Sequence, residues 1–185
     1  MIDPPADRSG LTISVLGEVR ATRDGEPLDL GGARQRSVLA LLVIARGDAV
    51  PADRLIHDLW GENAPPTASG ALQAFVSHLR RRLEPGRTAR SRGTVIVSVG
   101  PGYALRVPDD AVDAWRFEHQ VRRAADQADP AVAADVLAGA LDLWRGPAFA
   151  EYGDQPWARA EADRLTELRE VAREQLLAAR LSGCL

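Results

Sequence analysis

Between Thr67 and Arg106 the chain carries seven arginines, at positions 80, 81, 82, 87, 90, 92 and 106, against a single acid, Glu84. Guanidinium groups at that density, with so little carboxylate to neutralise them, suit an anionic partner. On a helical wheel Ala68, Leu72, Phe75, Val76, Leu79 and Leu83 share one side, which predicts a stripe facing a core. The opposite side gathers Thr67, Gly70, Ala74, Ser77, His78 and Arg81, with Gln73 and Arg80 on its flank. Small residues permit close backbone approach, Gln, Ser and His offer hydrogen bonds to base edges, and Arg makes the strongest phosphate and guanine contacts. This is chemistry for duplex DNA. Gln73, Ser77 and His78 are candidates for base readout; Arg80, Arg81 and Arg82, with Arg87, Arg90 and Arg92 beyond the helix, are candidates for affinity. The plainer alternative is a solvated helix whose Arg-rich end complements its dipole.

A second cationic site shifts that balance toward DNA. Arg34 and Arg36 fall in the first turn of an apolar helix, where the dipole disfavours cations. An anion seated there would relieve the conflict, and helix-start amides are themselves a phosphate seat. The runner-up reading is a protein-interaction module whose basic patch meets an acidic protein surface. Enzyme chemistry has no motif behind it. His57, His78 and His119 lack cysteine neighbours and ligand-like spacing, so no metal or cofactor site is expected. Cys184 has no activating surroundings in the sequence. Gly100-Pro101-Gly102 lacks the Lys-Ser/Thr of a phosphate loop. Trp115, Trp144 and Trp157 read as helix-packing residues.

The elements that must position these groups follow from periodicity and punctuation. Leu11, Ile13 and Val15 alternate as a strand, Val19–Thr22 forms a second, and Asp24-Gly25 signals a hairpin into a third around Pro27–Leu30. Arg34–Arg46 is apolar on almost every side and predicts a buried helix stopped by Gly47-Asp48. A second helix runs over Ala52–Trp60 and stops at Gly61. Thr67 is placed to cap a third, lasting to Leu83 or Glu84 and broken by Pro85-Gly86. Thr94–Val99 and Tyr103–Val107 flank a Pro-Gly turn and predict a β-hairpin. Beyond Pro108-Asp109-Asp110 the pattern is helical, over 114–128, 130–144 and 156–181. The acids there, as in Arg164–Glu170, read as solvated faces.

At 185 residues the chain is one large or two small domains. Its 45% hydrophobic and 26% charged residues are ordinary for globular proteins. The net charge of −3 conceals an asymmetry: residues 1–107 hold 14 Arg and 11 acids, and residues 108–185 hold 9 Arg and 15 acids. Every basic residue is Arg, as codon bias in a GC-rich genome would produce. The apolar run from Val38 to Ala45 is too short to span a bilayer. A single cysteine and the lack of a basic-then-apolar leader predict a cytoplasmic protein, nucleoid-associated if it binds DNA, and residues 1–9, with two prolines and little to bury, predict a frayed start.

Taken in order, GGARQRSVLALLV, DRLIHDLWG, ALQAFVSHLRRRLEPG and VGPGYAL resemble the Streptomyces antibiotic regulatory protein family, transcriptional activators with an OmpR/PhoB-type winged helix. DAVDAWRFEHQV, LDLWRGPAFAEY and ARAEADRLTELRE resemble that family's bacterial transcriptional activation domain. The resemblance covers nearly everything after Leu11. It implies an α+β winged helix-turn-helix over residues 10–107, with an N-terminal sheet, three helices and a C-terminal hairpin wing. An all-α, tetratricopeptide-like domain over 111–185 would follow, about half of one, so that either the sequence is part of a longer protein or the protein is unusually short. The resemblance puts the recognition helix at Thr67–Leu83, the wing at Thr94–Val107, and phosphate-facing roles near Arg34, Gln35, Arg36 and Tyr103. It implies duplex DNA with direct promoter repeats, RNA polymerase holoenzyme and a second protomer on DNA as partners, and secondary metabolism as the regulated process. His78 stands where the family often has Arg, Gly70 where Asn is frequent, Ala74 where Thr is, and Phe75 where Tyr is common. Those departures bear on the preferred DNA sequence more than on the docking mode.

Overall fold

The computed structural model describes residues 10–86 and 93–182. The chain divides into two compact units, one of Met1–Ile13 with Arg20–Pro108 and the other of Ser14–Val19 with Asp109–Leu185. In the first unit, β1 (Leu11–Ser14), β2 (Arg20–Arg23) and β3 (Glu26–Pro27) form a sheet in that order. Asp24 and Gly25, at φ of 52° and 87°, make the tight β2–β3 turn that the Asp-Gly pair predicts. Thr22 there faces Pro27 and Arg23 faces Glu26.

Helix α1 (Ala33–Ile44) buries Ser37 through Val43 without a break, so it lies inside the unit. It ends two residues earlier than the expected helix over Arg34–Arg46. The amide of Arg46 bonds back to the Val43 carbonyl and that of Asp48 to Ala45, and Arg46 and Gly47 both take positive φ. β4 (Val50–Pro51) leads into α2 (Ala52–Trp60), and α3 (Ala68–Leu83) follows an exposed turn through Pro65-Pro66. β5 (Ile96–Val99) and β6 (Gly102–Leu105) form the expected hairpin, with Val99 opposite Gly102 and Ile96 opposite Leu105. The sheet has a third member: β4 pairs with β6, Val50 against Tyr103. Two residues are too few for alternation to announce a strand. Gly102 allows the pairing, since a Cβ there would run into the Val50 carbonyl.

The second unit has α4 (Asp113–Ala125), α5 (Pro130–Leu141) and α6 (Pro156–Ser182), with α5 packed against both neighbours. Asp129 caps α5 by accepting the Ala131 amide at 2.9 Å, and Pro130 opens it at the position where a missing N–H does no harm. Phe117, Leu137, Phe149 and Leu165 are buried in this unit, and Trp144 meets Phe117 edge-on at 5.4 Å. Trp144 lies beyond α5 rather than within it. The chain leaves the helix because Arg145, Phe149 and Ala150 donate their amides to the carbonyls of Leu16, Val15 and Gly17. The stretch Ser14–Val19, read in the sequence as part of the N-terminal sheet within a domain 10–107, is therefore built into the helical unit. Among the described residues no helix is long and apolar enough to cross a membrane.

Candidate nucleic-acid interface

Helix α3 is fixed from beneath and open above. Leu72, Val76, Leu79 and Leu83 are buried on one stripe, each stabilising the seat by roughly 1.5–3 kcal/mol. Thr67, Gly70, Gln73, Ala74, Ser77, Arg81 and Arg82 are exposed. Thr67 holds the N-cap position, but its side chain accepts no capping bond; the turn is closed by the Ala68 amide on the Pro65 carbonyl. Phe75 is half-buried and stacks on Trp60, rings 6.1 Å apart and 13° from parallel. The exposed Arg34 lies over the other partner of that stack, its guanidinium carbon 5.6 Å from the Trp60 ring centre. A cation–aromatic line thus ties the start of α1 to the end of α2 and the middle of α3.

The remaining sequence candidates do not all stand in the open. His78 is half-buried, and its Nε2 donates to the Asp29 carbonyl at 3.2 Å, which requires the proton on that nitrogen. Arg82 pairs with the Asp29 carboxylate at 3.3 Å. Arg80 is turned toward the hairpin, donating from Nε to the Ile96 carbonyl at 2.8 Å and from Nη2 to the Ser98 hydroxyl at 2.9 Å. Its guanidinium also lies over the ring of Tyr103, 5.7 Å from the centre. Arg80 and Tyr103 are therefore brought together, as parts of the join between α3 and the hairpin. Arg87, Arg90 and Arg92 lie outside the described residues.

At the start of α1, Gln35 folds back so that its Oε1 accepts the Gly32 amide at 2.5 Å, and Arg36 donates to the Gly31 carbonyl at 2.7 Å. Asp29 accepts the Gly31 amide at 2.9 Å just ahead of this turn. Asp29 is the residue that sequence reasoning missed: it touches Gly31, His78 and Arg82, yet lies 49 and 53 positions from the last two. Glu84, noted only as the lone acid, is the other. It is buried and accepts bonds from Thr94 and Val95. Among the described residues no cluster could hold a metal ion.

An exposed, cationic helix on a three-helix core, with a β-hairpin beside it, followed by a helical unit, defines the class of two-domain transcriptional regulators. Comparison with known families agrees. Residues 25–105 match the model of the transcriptional regulatory protein C-terminal domain, and residues 112–183 match the bacterial transcriptional activator domain. The chain belongs to the Streptomyces antibiotic regulatory protein family. It is 38% identical over 179 residues to the regulatory protein AfsR of Streptomyces coelicolor, covering 95% of this chain and 17% of AfsR. Against the transcriptional regulator RedD of the same species the identity is 32%, over 90% of this chain and 48% of RedD. The solved structure of Mycobacterium tuberculosis EmbR, in complex with a low-affinity phosphopeptide, superposes with a TM-score of 0.84 at 33% identity. That match covers 93% of this chain and 46% of EmbR, so the chain spans less than half of each of these relatives.

Proposed function

We propose that the chain is the DNA-binding and effector part of a transcriptional activator that reads direct repeats in promoters and recruits RNA polymerase holoenzyme. In this reading residues 10–107, apart from the Ser14–Val19 stretch that belongs to the helical unit, supply the DNA-binding domain and residues 111–185 the effector domain, and the regulated process is secondary metabolism. The observation that carries the reading is the outer face of α3. From Thr67 to Arg82 every exposed residue is either uncharged or cationic, on a helix locked down by buried aliphatic side chains. Gln73, Ser77 and Arg81 would meet base edges, Arg82 and Arg34 phosphates, and Arg80 would act through the wing. Arg36 and Gln35 would present the start of α1 to a phosphate, and Thr67 would meet the backbone at the head of the recognition helix. A second protomer on the adjacent repeat would raise occupancy by effective concentration.

The test is selection of bound sites from random duplex DNA, followed by a salt titration on the selected site. Each neutralised phosphate contributes about −0.9 to the slope of log affinity against log salt. A steep slope and direct repeats spaced by about one helical turn are expected. A slope near zero refutes DNA as the partner, and inverted repeats refute the head-to-tail arrangement.

A further inference from the structure

We propose that Glu84 is the positioning residue of the DNA reader: it latches the base of the wing to the end of the recognition helix, so that helix and hairpin meet the duplex as one body. The inference rests on the duplex-binding reading above and assigns a role to the one acid in the Arg-rich stretch. Glu84 is only 4% exposed although it lies just beyond three consecutive arginines. Its Oε1 and Oε2 accept the Thr94 amide at 3.1 and 3.0 Å, Oε1 accepts the Val95 amide at 2.9 Å, and Oε2 accepts the Thr94 hydroxyl at 3.2 Å. Its own amide closes α3 on the Arg80 carbonyl at 2.9 Å. These donors are amides and a hydroxyl, so the carboxylate is satisfied without drawing an arginine away from the surface. Buried in this way, it is also kept from facing phosphate.

A second arm complements the first. Arg80, one turn before Glu84, donates to the Ile96 carbonyl and the Ser98 hydroxyl on the same strand. The last turn of α3 thus offers an acceptor to Thr94 and Val95 and a donor to Ile96 and Ser98. An acceptor and a donor in fixed order specify both the register and the direction of the strand. Gly93 completes the fit: a Cβ there would run into the Ile96 carbonyl and come within 2.6 Å of Arg80 Nε. Glu84→Gln keeps the shape of the side chain but turns an NH2 toward donors, which leaves at least one buried amide unmatched.

The experiment uses the full 185-residue chain and three readouts: amide exchange, site selection, and hydroxyl-radical footprinting with a salt titration. In the wild type the Thr94 and Val95 amides are expected to be protected. In Glu84→Gln they exchange at least tenfold faster while α1 is unchanged. The selected base sequence stays the same, because α3 keeps its seat. The footprint loses protection on the wing side, and the salt slope falls by about 0.9 for each phosphate that the wing no longer neutralises. A merely structural role would lower the melting temperature without separating base preference from wing protection. A folded Glu84→Gln with wild-type footprint and slope overturns the proposal. Should that variant fail to fold, Glu84→Asp, which keeps the charge but withdraws it by one methylene, is held to the same standard. A wild type with no salt-dependent duplex binding overturns the DNA reading and this inference together; wild-type binding with an unchanged variant overturns the inference alone.

Discussion

In the winged-helix unit the buried acid, Glu84, is matched by amides and a hydroxyl, and Arg34, Arg81 and Arg82 stand at the surface. In the helical unit the buried acids take arginine as well, although Asp113 also accepts the Val15 and Leu16 amides. Asp113 pairs with Arg145 at 2.7 Å, and Glu118 pairs with Arg164, which also holds Glu161. Arg173 pairs with Glu170. Arg169 lies over Trp144 at 4.5 Å, where burial first, and the neighbouring Arg173 next, holds its guanidinium below its ordinary value. In the proposed reading the same side chain thus serves as a DNA-facing group in one unit and as a counter-ion to buried acids in the other. Net charge alone, positive over one half and negative over the other, would have said only that the halves differ. What decides whether an arginine can meet phosphate is whether the fold has already given it a carboxylate.

The largest break in that comparison would come from cutting the chain after Val107. Val15, Leu16 and Val19 are buried in the helical unit, and their amides are accepted by Asp113 and Glu151. Truncation exposes these side chains, at roughly 1.5–3 kcal/mol each, and removes acceptors from buried amides at about 1–3 kcal/mol each. The fragment is expected to lose its cooperative thermal unfolding and to associate on a sizing column. A fragment that melts as sharply as the full chain would show that Ser14–Val19 can be accommodated by the winged helix alone.

Next in size is Asp113→Ala, which orphans the Val15 and Leu16 amides and is expected to lower stability by on the order of 3 kcal/mol. Asp113→Asn gives the pH dependence. Burial raises the Asp113 carboxyl above its ordinary value of 3.8, against the pull of the two amides and Arg145. A raised value in the folded state means that its contribution is complete below 3.8 and shrinks as pH climbs through the folded value. The margin of the wild type over Asp113→Asn in denaturant melts is therefore expected to narrow with rising pH. A margin that widens would mean that the charged form is the one the site prefers.

The sequence makes one side of this contrast legible and hides the other. The apolar stripe Leu72, Val76, Leu79, Leu83 announces α3 and its outer face because helix contacts repeat within a turn. The hairpin is legible from its Pro-Gly turn. The placement of Ser14–Val19 is not, because alternation shows that one strand face is buried but not which neighbour buries it. The acids of the second half read as solvated faces, yet Asp113 and Glu118 are buried by arginines 32 and 46 positions away. Arg80 is legible as a flank residue, whereas its partners Ile96 and Ser98 depend on how the hairpin folds back. Long-range pairing is what one chain, read in order, cannot display.

A smaller effect would sharpen the contrast between presented and consumed arginines. Arg81→Ala and Arg173→Ala each remove one exposed cation and are expected to leave stability within about 0.5 kcal/mol. On the selected duplex, Arg81→Ala should lose about 1–3 kcal/mol of affinity and relax base preference. Arg173→Ala should change neither affinity nor salt slope. Equal losses in competition binding would mean that overall charge, rather than partnering, governs the interaction.

The smallest expected effect concerns a place where the first unit, as it also does at Arg54 and Asp58, pairs an arginine with a carboxylate. Asp29 pairs with Arg82 while both stay exposed, at 67% and 48% of their side-chain surface, so the bond is worth about 0–1 kcal/mol in the unbound protein. On duplex DNA, Arg82 must exchange that carboxylate for a phosphate. Asp29→Asn preserves an oxygen for the Gly31 amide but removes the charge that competes. Affinity is expected to rise by up to about fivefold, the equivalent of about 1 kcal/mol. The salt slope should steepen by about 0.9, one phosphate's share. General relief of repulsion from any nearby acid would also raise affinity, so the decisive measurement is the cycle with Arg82→Ala. If Asp29 acts by holding Arg82, the substitution at 29 has little effect once Arg82 is gone. An equal gain in both backgrounds would make Asp29 a repulsive charge and nothing more, and the pair at the edge of the recognition helix would then be incidental to how the arginines are shared.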